Sequence, residues 1–170
     1  MTEHHDVPPS TGPTPYLPLL LDLVAGYLEH DHARVAATAT DIRDAGRPAL
    51  DGTMQEAGTL IAHLHTVAFC AGQTVHIADL QDELVQLVSR AVPLHHEFAI
   101  ARALEAITTG VGDGCPFGPG DTGDLLLLHT AAAYCALAGI TIFGTGAFTP
   151  NGLRLMGLAA RSLRDERTGR

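Results

Sequence analysis

Between Leu125 and Phe148 the chain carries no formal charge unless His129 is protonated, and this constrains its folding more than any other feature. A run of that length suffices to cross a bilayer as one helix. Its composition argues for burial instead. Much of it is Ala, Gly and Thr, its N-terminal flank is acidic (Asp121, Asp124), and no Lys/Arg cluster marks a cytoplasmic side. A helix that is apolar all round and not in lipid has to be enclosed by other elements. The expected fold class is therefore all-α: an irregular bundle of about six or seven helices around a buried apolar helix over about 124–144.

The remaining sequence supplies those helices. Met1 to Pro15 is acidic, His- and Pro-containing, and lacks the basic start and apolar run of a secretory signal, so it reads as a disordered leader over 1–15. One helical domain is expected over 16–165, with a short basic tail at 166–170. Its first helix covers about Leu19 to His30, with Pro18 in the first turn. Val35, Ala39 and Ile42 give the second a helical period that stops at Gly46.

In the third helix Thr53 and Glu56 have capping-box spacing, and Met54, Ala57, Ile61, Leu64, Ala68 and Ala71 repeat at alternating threes and fours up to Gly72. The fourth sets Ile77, Leu80, Leu84, Leu87, Val88 and Ala91 against Asp79, Glu83, Gln86 and Arg90. The fifth is expected to turn Leu94, Phe98, Ala101 and Leu104 inward. A Gly/Pro-rich loop over Gly110 to Gly123 precedes the apolar helix, which is expected to fray or kink near Gly139 to Gly146. Thr149 as N-cap and Pro150 at the first helical position open the last helix, through about Arg164.

A net charge of -9 disfavours non-specific binding to nucleic acid or to an anionic membrane, since both present phosphates. All ten basic residues are Arg, and five of them follow Leu153 against only Asp165 and Glu166. That segment is +3, which leaves -12 for the rest of the chain. Arg154, Arg161 and Arg164 are accordingly the candidate anion- or partner-binding residues, against the plainer reading of cations complementing a helix dipole. Three widely spaced cysteines, Cys70, Cys115 and Cys135, form no CxxC pair and point to reduced thiols and a cytoplasmic location.

Ten histidines call for a test of metal chemistry. Glu29-x-x-His32 has the spacing that di-iron bundles use twice, but no second copy exists, and neither His-x-x-x-His nor His-Glu-x-x-His occurs. The His30-Asp31 dipeptide is the one that HD-type phosphohydrolases use on a helix, but these also need a His upstream and an Asp downstream on helices of their own, and here only His4 or His5, in the expected leader, lies upstream. No metal and no cofactor is expected. His65 and His129 lie within apolar helices, where a histidine is either hydrogen-bonded in the core or lines a pocket and acts near neutral pH. If they line a pocket, Tyr134 and Cys115 are its other candidate members. The segments around the two histidines echo each other, Leu64-His65-Thr66 against Leu128-His129-Thr130, and the aromatic–cysteine pairs after them, Phe69-Cys70 and Tyr134-Cys135, are offset by one residue.

Three function classes result. The leading expectation is a non-catalytic interaction or regulatory module that self-associates or binds a protein partner. The alternative is a small helical enzyme or ligand carrier with an apolar pocket at His65, His129 and Tyr134. The third is a membrane-associated protein held by residues 125–148.

Overall fold

The computed structural model describes residues 16–92, 97–109, 121–146 and 148–167. They form seven helices, and no strand occurs among them. The helices are α1 (Tyr16–Leu28), α2 (His32–Asp44), α3 (Arg47–Cys70), α4 (Ile77–Ala91), α5 (Glu97–Thr109), α6 (Asp121–Phe143) and α7 (Phe148–Arg167). The leader, the Gly/Pro loop up to Gly120 and the end of the basic tail lie outside the described residues.

Helix α6 touches all six of the others. From Leu128 through Ala138 every residue is buried, so no side of this helix faces water. Small side chains make that enclosure workable, because Ala131, Ala132, Ala133, Ala136 and Ala138 let neighbouring helices approach closely from several directions. The helix stays regular through Gly139 and ends at Gly144, whose φ of 83° reverses the chain. The break thus falls inside the span expected for it, Gly139 to Gly146, with Gly139 itself still helical. Leu153 of α7 packs over that glycine, and a Cβ there would stand 2.7 Å from a Leu153 methyl.

Helix boundaries follow local chemistry, sometimes through residues other than the expected ones. His30 closes α1 in the left-handed conformation, φ 55°, and the Asp31 and His30 amides donate back to the Gly26 and Tyr27 carbonyls. Asp31 then caps α2 by accepting from the Arg34 amide at 3.0 Å. His30-Asp31 is thus the turn between two helices, and Glu29 and His32 fall on opposite sides of it.

The capping box expected at Thr53 and Glu56 does not form. Helix α3 begins six residues earlier, at Arg47 after Gly46, because Pro48 is pre-set for a first turn. The Thr53 hydroxyl donates instead to the Ala49 carbonyl, 2.7 Å away inside the helix. Likewise α7 starts at Phe148, and the buried Thr149 hydroxyl donates to the Gly144 carbonyl at 2.5 Å rather than capping from outside. In α5 the inward face is Ile100, Ala103 and Leu104, while Ala101 is half-exposed; Leu94 and the Phe98 side chain lie outside the described residues.

Candidate functional site

The two core histidines each meet a tyrosine from a distant helix. His129 is buried in α6, and its Nδ1 shares a 2.7 Å hydrogen bond with the hydroxyl of buried Tyr27 on α1. The two rings meet edge to face. His65 on α3 is half-buried, and its Nε2 lies 2.6 Å from the hydroxyl of Tyr134, with the rings stacked 9° from parallel. Burial pushes the Tyr27 phenol far above its ordinary range, and burial with the adjacent Cys135 pushes Tyr134 up to about 12. Both tyrosines therefore remain protonated near neutrality, as hydrogen-bonding groups rather than as bases.

His65 and His129 belong to two separate hydrogen-bonded pairs. Five residues separate His129 from Tyr134, which at about 100° per residue turns them to well-separated sides of α6. Each is joined there to a different helix, α1 in one case and α3 in the other. Sequence reasoning missed Tyr27, and the signal available for it was a tyrosine near the end of the apolar run of α1. Cys115 lies outside the described residues. Cys135 is fully buried, and desolvation pushes its thiol up to about 12, so it holds its proton in the core. Cys70 is exposed at the end of α3. Among the described residues no three His, Cys, Asp or Glu side chains gather as a metal-holding group.

The three arginines singled out in the sequence have separate fates on α7. Arg164 turns inward: its guanidinium lies 3.1 Å from a carboxylate oxygen of Glu56 and 3.3 Å from the Thr59 hydroxyl on α3. Glu56, only 3% exposed, is a buried carboxylate held by that contact. Arg161 lies along the surface 3.9 Å from Asp165. Arg154 is exposed and rims a groove of about 420 Å³ between α1, α2 and α7. Leu17, Leu21 and Leu158 line this groove together with the ion pair of Asp22 and Arg34. The Thr38 hydroxyl and the Arg34 guanidinium both donate to Asp22 and hold its carboxyl below the usual range.

No protein-family model matches this chain, and neither a curated protein nor a solved structure matches it. The surface therefore has to be read from its own chemistry.

Four of the five large exposed hydrophobic side chains in the described structure belong to α7: Phe148 at 84%, Leu155 at 67%, Leu158 at 48% and Leu163 at 47%. At 3.6 residues per turn, Phe148, Leu155, Ala159 and Leu163 fall, together with exposed Glu166, within a sector of about 80° turned away from the buried Leu153, Gly157 and Ala160. Sequence reasoning singled out the arginines of this helix but not its outward leucines. A helix that is apolar on two faces has one face unaccounted for by its own fold.

Two further surface depressions lie elsewhere. One of about 340 Å³ runs between α4 and α5 along Ile77, Ala101 and Leu104, and a small one of about 70 Å³ sits at Gly46 and Leu125. His65, His129 and Tyr134 line none of the three.

Proposed function

We propose that this chain is a non-catalytic interaction module that engages a second copy of itself or another protein through the outward face of α7. The observation that carries this reading is the concentration of exposed leucines and Phe148 on that helix. Solvated apolar surface grouped in this way gains free energy on being covered, at roughly 25 cal/mol per Å². Exposed Asn151, Ser162 and Glu166 lie on or beside the stripe and give a docking surface polar positions.

Two observations weigh against the enzyme or carrier reading. Each Tyr–His pair takes up one ring nitrogen of its histidine, and the Cys135 thiol stays protonated. The membrane reading rests on Gly123–Phe143, which is long and apolar enough to cross a bilayer, yet 72% of its most apolar window is buried by the other helices. That burial supports a core role for the helix.

Hydroxyl-radical footprinting of the full-length protein tests the module reading. Leu155, Leu158 and Leu163 are expected to be protected in extract of the native cells and labelled in the purified, dilute protein. Equal labelling in both overturns it.

A further inference from the structure

We propose that the groove between α1, α2 and α7 binds a small amphiphilic anion, an apolar chain ending in a carboxylate, with its tail on Leu17, Leu21 and Leu158 and its head on the Arg154 guanidinium. Leu158 and Arg154 lie about 100° and 140° around α7 from the centre of the exposed apolar stripe. The site is therefore separate from the protein-binding reading of that stripe: Leu155 and Leu163 report on the stripe, Leu17 and Leu21 on the groove.

The polar groups of the groove select the sign of the ligand. Arg34 donates through Nε and Nη2 to Asp22 Oδ1, at 3.0 and 2.5 Å, and through Nη1 to Glu29 at 2.8 Å. The other Asp22 oxygen accepts from the Thr38 hydroxyl at 2.5 Å. Every nitrogen of the Arg34 guanidinium and both oxygens of Asp22 are thus engaged within the fold, and a ligand gains little by competing for them. Arg154 differs. It is exposed, and among the described residues it meets no carboxylate and makes no hydrogen bond. A guanidinium offers two parallel N–H groups to a carboxylate, a pairing that a neutral or cationic head cannot form.

Size and walls agree with a ligand of this kind. About 420 Å³ falls within the roughly 300–1,000 Å³ usual for small-ligand sites, in which apolar walls carry a few placed polar groups. Arg154 and Leu158 are four residues apart and so neighbours along one side of α7, which sets the contact for the head beside the contact for the tail. Leu158 is half-exposed and gains by being covered. The depression between α4 and α5 lacks this polarity, since Arg102 and Glu105 line it together with opposite charges.

Titration of the full-length protein, labelled with 13C at its leucine methyls, with sodium decanoate tests the site. Saturable binding is expected with a Kd on the order of 100 µM, shifting the Leu17, Leu21 and Leu158 methyl signals. Arg154→Glu is expected to weaken that binding at least tenfold. Decyltrimethylammonium, a tail of the same length with a cationic head, is expected to bind the wild type at least tenfold more weakly than decanoate does. Arg154 is exposed, so the variant keeps the fold, which far-UV circular dichroism verifies. The proposal is overturned by the absence of saturable shifts at those methyls up to about 10 mM decanoate. Decanoate binding that survives Arg154→Glu unchanged, or equal binding of the two head groups, overturns it as well.

Discussion

Tyr27 and His129 are 102 positions apart in sequence and 2.7 Å apart in the core, and each satisfies a polar atom that the other's burial would otherwise leave unpaired. Replacing Tyr27 by Phe keeps the ring packing and removes the hydroxyl from a buried nitrogen. The expected loss is about 1–3 kcal/mol in urea denaturation, the ordinary cost of an orphaned buried acceptor or donor. An unchanged midpoint would mean that the hydrogen bond contributes nothing to stability.

The same burial sets an alkaline limit. Cys135 and Tyr134 both have folded-state pKa values near 12, raised from ordinary values of 9.0 and 10.0. A raised folded value means that the stabilisation is complete below the unfolded pKa and is lost as pH climbs toward the folded one. Stability should therefore hold up to about pH 9 and fall by a few kcal/mol between pH 9 and 12, measured by urea midpoints across that range. A flat profile to pH 12 would contradict the burial of both groups.

Little of this residue-level pairing was legible in the sequence. Histidines on apolar helices announce that a partner is needed, but which partner depends on how helices separated by whole elements are set against one another. The same holds for Glu56, whose spacing from Thr53 is that of a cap while its carboxylate is committed to Arg164 across the α3–α7 contact. The echo between the two histidine segments is local as well. Thr66 and Thr130 both donate back to the carbonyl four residues earlier, but Phe69 is exposed where Tyr134 is buried.

Elements were far more legible, because their signals lie within a few residues. Gly46 and Gly72 end helices where expected, and the fourth helix buries Leu84, Leu87 and Val88 of its predicted apolar face. Boundaries shifted where two local signals competed: Pro48 outweighed the Thr53 cap, so α3 gained two turns at its start. Helix α3 also offers an internal comparison of glycines. Gly58 faces open space on an exposed surface, so Gly58→Ala is expected to stabilise by about 0.5–1 kcal/mol through helix propensity alone. At Gly52 the same change sets a Cβ 2.2 Å from the Tyr16 ring, which must move. Gly52→Ala should therefore destabilise by about 1–3 kcal/mol despite the identical propensity gain. Thermal melts of both variants, compared at equal pH, test the packing of α1 on α3. If both variants were stabilised equally, Tyr16 would not be seated on Gly52.

For the whole molecule the decisive relation is between α6 and everything else. The uncharged stretch implied a helix enclosed on all sides, and α6 contacts every other helix, so the core has one centre rather than two. Helix α7 is further tied to α3 by Arg164 and the buried Glu56, and this separates the roles of the α7 arginines. Arg164→Ala leaves a carboxylate in the core without its cation and should cost about 2–4 kcal/mol, whereas Arg154→Ala removes an exposed group and should stay within about 0.5 kcal/mol. Urea denaturation at low protein concentration compares the two. Equal effects would mean either that Glu56 is not held by Arg164 or that Arg154 is bound within its own chain. The expected disparity would establish that Arg164 secures α7 to α3 while Arg154 adds nothing to the fold. A helix fixed to its own fold by an inward cation can present leucines to a partner without peeling away to bury them itself.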